Sequence, residues 1–176
     1  MRIRAAHLVF QERNTTSRSV ELPKSGECVV KFNPVDVMLF LRAVPLARLA
    51  QRVKSEPLTR VVAGMARRHG VAASHPVDRV ARAAARATSR WSRWFGGLDS
   101  CLTRSLVLGS MLGSRGHVEL NIGFRSHDTD DVVAGHAWIS VDDRPVGPDS
   151  ELADDAYSRV LEVPFSGPEQ SARSSV

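Results

Sequence analysis

Cysteine is scarce in this chain: Cys28 and Cys101 are the only two among 176 residues. That excludes a disulfide-stapled secreted scaffold, which carries more cysteines in pairs, and leaves each thiol free to act as one. Lysine is nearly absent, at 24, 31 and 54 only, so the net charge of +5 is carried almost entirely by arginine. Aromatic residues make up 6% of the chain, and no nucleic-acid fold motif is present. Long apolar runs are missing. The longest, Val35 to Leu41, is interrupted by Asp36 and ended by Arg42, far short of a bilayer span. The start MRIRAAHLVFQERN has no apolar h-region, so no signal peptide is expected. Together these absences suit a reducing cytoplasm, with no membrane span and no nucleic acid as partner.

What is present is globular: 43% hydrophobic and 24% charged residues, enough chain for one ordinary domain with its own core. A pI of about 10.0 permits an acidic ligand without choosing one. Residues 1–32 hold two β-like stretches, Ala6–Gln11 and Glu27–Phe32, around a polar segment, and read as a small arm. Asn33-Pro34 is an N-cap followed by proline at the first helical position. It opens a helix over Val35–Val53 that places Val37, Phe40, Leu41 and Val44 on one face, with Pro45 expected to kink or split it. Ser55-Glu56-Pro57 opens a second helix that Gly70 can end. Ser74-His75-Pro76 opens a third, to about Trp94, stopped by Gly96-Gly97. Between 57 and 94 there are eight arginines, at 60, 67, 68, 79, 82, 86, 90 and 93, against Asp78 alone. Residues 33–97 are thus a helical, arginine-rich region, and its basic face reads first as solvated surface. Docking of an acidic partner or leader is the functional alternative, with nucleic acid behind it.

The chemistry gathers after residue 97. Leu98-Asp99-Ser100-Cys101 leads into TRSLVLGSMLGSRG, an amphipathic helix that buries Leu102, Leu106, Met111 and Leu112 and can end at Gly113 or Gly116. Asp99 or Ser100 is a good N-cap, which sets Cys101 in the first turn. There the helix dipole and unpaired N–H groups favour the thiolate. The Cys101 N–H can serve an oxyanion. HVELNIGFR alternates strictly, Val118, Leu120, Ile122 and Phe124 sharing one face of a half-buried strand. His127–Asp131 reads as a polar turn and Val132–Val141 as the next strand, carrying His136 where a Cys–His pair requires it. Asp142-Asp143 reads as a tight turn, a poorer pair than Asp-Gly, and Arg144–Asp149 as a third strand. If that turn has two residues, Val141 faces Arg144, and counting along both strands sets Asp149 opposite His136. Directly opposed residues interact, so Asp149 is the candidate to orient the imidazole. A slip of one residue would turn it away, which keeps Asp142 and Asp143 as lesser candidates.

These residues carry a resemblance. The block DSCLTRSLVLGSMLGSRGHVELNIGFR, followed by HAWISVDDRPVG, resembles the transglutaminase-like leader peptidases of lasso peptide biosynthesis over roughly residues 98–149. The Cys-Leu-x-Arg-Ser-Leu helix, the Arg-Gly turn, the Leu-x-Ile-Gly strand and the His-Ala-Trp strand occur in order. The resemblance implies a cytoplasmic cysteine peptidase that cuts the leader from a precursor peptide. A partner ATP-dependent lasso cyclase would then use the freed α-amino group. It implies a catalytic core, set at 98–165, with Cys101, His136 and an aspartate as the triad; the polar tail at 166–176 reads as flexible from its composition. The family's aspartate is expected close to 148, where this chain has Pro148 with Asp149 beside it. Residues 1–32 are too few for the leader-binding module such enzymes often lack, so a separate leader-recognition protein is expected. No cofactor is expected.

The fold this predicts is α+β: N-terminal helices packed on a small antiparallel sheet, with a cysteine at a helix N-terminus, a transglutaminase/papain-like core. Arg104 is read as substrate contact, support for the acid, or a surface charge. Trp138 shares a strand face with His136 and either lines the substrate groove or packs in the core. Trp91 and Trp94 are assigned to core or partner contact, Cys28 to a buried inert thiol, and His117 and His127 to the surface. A zinc site from Cys101, His136 and Asp149 lacks a fourth ligand and close ligand pairs. Two rival functions remain: acyl transfer to an amine at the same site, and a non-catalytic basic scaffold with an unreactive Cys101.

Overall fold

The computed structural model describes residues 33–67, 74–127, 130–147 and 157–165. The arm at 1–32, Cys28, Gly70, the segment 148–156 with Asp149, and the tail at 166–176 lie outside the described residues, as do the side chains of 126–133. Among the described residues four helices come first: α1 (Pro34–Ala50), continued by a 3-10 turn (Gln51–Lys54), then α2 (Leu58–Ala66), α3 (Val77–Phe95) and α4 (Cys101–Leu112). Strands β1 (Val118–His127), β2 (Asp130–Val141), β3 (Arg144–Val146) and β4 (Ser158–Pro164) follow. They form one antiparallel sheet in the order β3-β2-β1-β4. The expected α+β class, helices on a small antiparallel sheet, is what is found.

Local chemistry sets the helix ends. Asn33 caps α1, its Oδ1 accepting the Val35 N–H at 3.0 Å, with Pro34 at N1. Gly96, at φ 66°, closes α3 in the left-handed conformation that glycine adopts without a Cβ clash. Pro45 does not split α1, which runs through it to Ala50. The inward face of α1 is only in part the one expected, since Phe40 and Val44 are half-buried against the core. Leu39, Ala43, Leu46, Ala47 and Ala50 are buried, while Leu41 is 62% exposed and Val37 is exposed too. The alanines explain the choice: Ala43 and Ala47 meet Ala81, Ala83, Ala84 and Ala87 of α3 in the same core, and small side chains let two helices approach closely.

Helix α4 crosses the centre of the molecule, with Leu106, Val107, Met111 and Leu112 fully buried or nearly so. It packs on the sheet face that carries Val118, Leu120, Ala137 and Ile139. Gly109 is the point of closest approach. A Cβ there would meet the ring of Phe165 at 2.4 Å, and Phe165 is itself fully buried just after β4. Ser110 Oγ donates to the Met65 carbonyl and ties α4 to α2.

Hairpin β2–β3 turns at Asp142 and Asp143, with φ of 49° and 63°, the left-handed pair that a two-residue turn of this kind demands. Val141 faces Arg144 as counted. The described ladder ends at Ile139 opposite Val146, with Gly147 next at φ 113°. Strand β3 is therefore shorter than expected, and the pairing of His136 with Asp149 does not follow from it. Strands β1 and β2 run on to His127 and Asp130, into the stretch His127–Asp131 expected as a polar turn. Strand β4 escaped the sequence reading entirely. Its Val160 and Leu161 are exposed and only Val163 is buried, so its pattern resembles a surface segment.

Candidate active site

Cys101 is the first residue of α4, and Ser100 is the N-cap. Ser100 Oγ accepts the Thr103 N–H while Thr103 Oγ1 accepts the Ser100 N–H, a reciprocal capping box. Replacing Ser100 with alanine is expected to cost about 1 kcal/mol of stability. It should also shift Cys101 alkylation to higher pH, a change a thermal melt and a pH–rate profile read separately.

The loop before the cysteine is held from several sides. Gln51 clamps Leu98 by both ends of its amide, Nε2 donating to the Leu98 carbonyl at 2.8 Å and Oε1 accepting the Leu98 N–H at 2.6 Å. Ser92 Oγ donates to the Gly97 carbonyl and Thr103 Oγ1 to that of Leu98. Asp99, offered by the sequence as a cap, does other work. Its carboxylate accepts from Arg104 Nε and Ser89 Oγ, each at 2.7 Å, joining α4 to α3. Arg104 is thus a structural partner of Asp99.

Burial alone would raise the Asp99 carboxyl, but the hydrogen bonds from Arg104 and Ser89 and the Arg104 charge outweigh it and hold the group below its ordinary 3.8. A depressed carboxyl contributes stability in full above its unfolded value, and that contribution disappears as pH falls through the folded value. Asp99→Asn should therefore lower the melting temperature at neutral pH, and the gap to the wild type should close as both are taken to acid pH below 3.8.

Helix α4 and strand β2 run side by side in the same direction. Ser105 Oγ donates to the Ala137 carbonyl at 3.0 Å. Farther along, Leu108 approaches Gly147, and Gly109 lies against Phe165. Cys101, one turn before Ser105, therefore lies toward the His136 end of β2. It shares a small hollow with Arg104, Ser105, Ala137 and Trp138. Ser105→Ala should leave the fold largely intact, costing about 1 kcal/mol.

His136 sits opposite Gly123 in the β1–β2 ladder. Alternation sets its side chain on the sheet face that does not carry Ala137 and Ile139, the same face as Trp138. The imidazole stacks on Trp138, ring centroids 6.0 Å apart, and against Tyr157 at 5.1 Å. Arg159 lies over the Trp138 ring and Arg125 over that of Tyr157. Trp138 is 3% exposed, so it both packs internally and borders the cysteine hollow. Asn121, fully buried, donates through Nδ2 to Ser140 Oγ on this face. Tyr157 and Arg159 were missed by the sequence reading, because their place beside His136 depends on the long-range pairing of β4 with β1.

Asp142 and Asp143 are exposed at the far end of β2, and Asp142 Oδ1 accepts the His117 N–H at 3.0 Å. They serve the turn. Trp91 stacks on Phe95 and packs against the core, whereas Trp94 is 60% exposed beneath Arg90. Among the described residues no group of three or more His, Cys, Asp or Glu is placed to hold a metal ion. Among them, too, no helix is long and apolar enough to cross a membrane.

The model of one known family, described as the transglutaminase-like superfamily, matches residues 40–162, well over half of the chain. No curated protein and no solved structure matches it.

Proposed function

The chain belongs to the transglutaminase-like superfamily, and from that premise we propose that it is a cysteine endopeptidase removing the leader from a ribosomally made precursor peptide during lasso peptide maturation. Members of the superfamily are typically cysteine-dependent enzymes, peptidases or acyl-transferring. The observation that carries the reading is Cys101 at the head of a capped helix, sharing a hollow with the two residues that follow His136. The motif-by-motif resemblance to leader peptidases narrows it to that class.

In the proposed reaction Cys101 Sγ attacks the carbonyl carbon of the leader–core amide, its proton passing to His136. The Cys101 N–H, at the first position of α4, helps hold the oxyanion. The C–N bond breaks as His136 gives the proton to the departing core amine, leaving a leader thioester on Cys101. Water then attacks the thioester, His136 taking its proton, and releases the leader carboxylate and the thiol. Asp149 is the proposed third member, orienting the imidazole, on the strength of the resemblance. A separate leader-recognition protein delivers the substrate, and an ATP-dependent lasso cyclase consumes the new amine. No cofactor takes part.

A synthetic leader–core peptide incubated with the chain and the recognition protein in 18O-enriched water tests this. The expected products are a core with a free α-amine and a leader whose new carboxylate carries the label. Unlabelled leader joined to an added amine would instead assign acyl transfer, and an uncut peptide would leave the scaffold reading. Precursor binding as tight by the chain alone as by the mixture would remove the recognition protein from the scheme.

A further inference from the structure

Helix α1 carries two apolar faces, and only one is fully buried in the core. On the other, Val37 and Leu41 are exposed, while Phe40 and Val44 are half-buried at the edge of the core. Beside it runs the arginine row of α3. Arg82, Arg86 and Arg93 are exposed, and among the described residues none of the three is in an ion pair. Asp36, which lines the hollow beside the row, is engaged by Arg79 at 2.7 Å. Where the helices meet, a hollow is lined by Phe40, Arg82 and Arg86 with Asp36, Arg79 and Ala83. An aliphatic stripe and uncompensated guanidinium groups thus share one continuous surface.

We propose that this α1–α3 face docks a partner protein through a segment that presents carboxylates beside aliphatic side chains. Charge complementarity selects the occupant. Guanidinium forks bind carboxylates in pairs of hydrogen bonds, and the stripe offers desolvated area to an amphipathic helix or strand. A nucleic acid would use the arginines but leave Val37 and Leu41 without a function, since single strands need aromatic platforms. A second copy of a chain with net charge +5 is repelled. The Cys101 hollow is lined by Ala81, Ala84 and Ala85 of the same α3. At 3.6 residues per turn, these lie on roughly the opposite side of the helix from Arg79, Arg82, Ala83 and Arg86. A partner docked here leaves the thiol open. The inference does not depend on the chemistry at Cys101.

Fluorescence anisotropy of the full chain tests it with three labelled probes: an amphipathic peptide with glutamates on one face and leucines on the other, a scrambled peptide of the same composition, and a single-stranded DNA. The amphipathic peptide should bind tightest. Its affinity should fall on the order of tenfold or more in both Arg82→Glu/Arg86→Glu and Leu41→Ser. Both variants alter surface positions and should keep the wild-type melting temperature. Equal binding of the scrambled peptide, or no effect of Leu41→Ser, overturns the proposal. So does tighter binding of DNA, which would make the face a nucleic-acid surface. A dimer in sedimentation velocity that the double arginine variant dissolves would assign the face to a second copy, and would equally overturn it.

Discussion

Cys101→Ala should abolish leader removal, and His136→Ala should lower its rate by roughly three to six orders of magnitude. The two losses should not add. A nucleophile and its base act as one unit, so removing the second after the first changes little. That non-additivity separates a catalytic pair from two residues that each support the fold, whose effects would accumulate. Asp149→Asn should be milder, because an orienting acid contributes through the tautomer and position of the imidazole. Single-turnover cleavage of the leader–core peptide by each single variant and by the double variant measures this. A double variant far slower than either single one would show that Cys101 and His136 work independently.

Phe165→Ala should be the most damaging of the stability changes, about 3–5 kcal/mol for a fully buried ring. Gly109 supplies the matching half of that contact. Alanine in a helix interior is ordinarily favoured over glycine by about 1 kcal/mol. Here its Cβ would lie 2.4 to 2.8 Å from three ring carbons of Phe165. Overpacking costs about 1–3 kcal/mol and should win, so Gly109→Ala is expected to destabilise. Phe165→Leu should relieve part of that cost, because Leu lacks the ring edge that collides. Urea denaturation of the two single variants and the pair reads the coupling. Strictly additive effects would mean that α4 and the end of β4 do not press on each other as described. Because α4 begins with Cys101, Gly109→Ala should also disturb alkylation of the thiol more than an equal loss of stability in α2 would.

Much of this was legible from residue chemistry. Asn33-Pro34 and Gly96 marked helix ends because capping and left-handed backbone are local demands. Val118 and Leu120 gave the β1 face by strict alternation, and Asp142-Asp143 gave the turn because aspartate tolerates positive φ. The failures have physical causes too. Helix α1 is apolar on two sides, so periodicity marks neither as the core; the close packing of Ala43 and Ala47 on α3 decides it. Both faces of the sheet are buried near Asn121 and Trp138, so alternation paired His136 with Trp138 but did not say which face meets α4. Strand β4 pairs with β1 across a long stretch of chain, a contact no local pattern encodes. Asp149 lies beyond Val146, where β3 ends, and outside the described residues, so the register counted from the turn does not reach it.

The measurement that tests the central claim most directly is alkylation of the chain with iodoacetamide across pH, with modification at Cys101 and Cys28 read by peptide mass spectrometry. It is run on the wild type and on His136→Ala, alone and with the recognition protein. Rapid labelling of Cys101 well below pH 8, slowed by His136→Ala, with Cys28 labelled only slowly over the same range, is the predicted result. Slow labelling of Cys101 with an ordinary thiol profile, unchanged by His136→Ala and by the partner, would contradict an activated Cys–His pair and leave the protein a basic docking module.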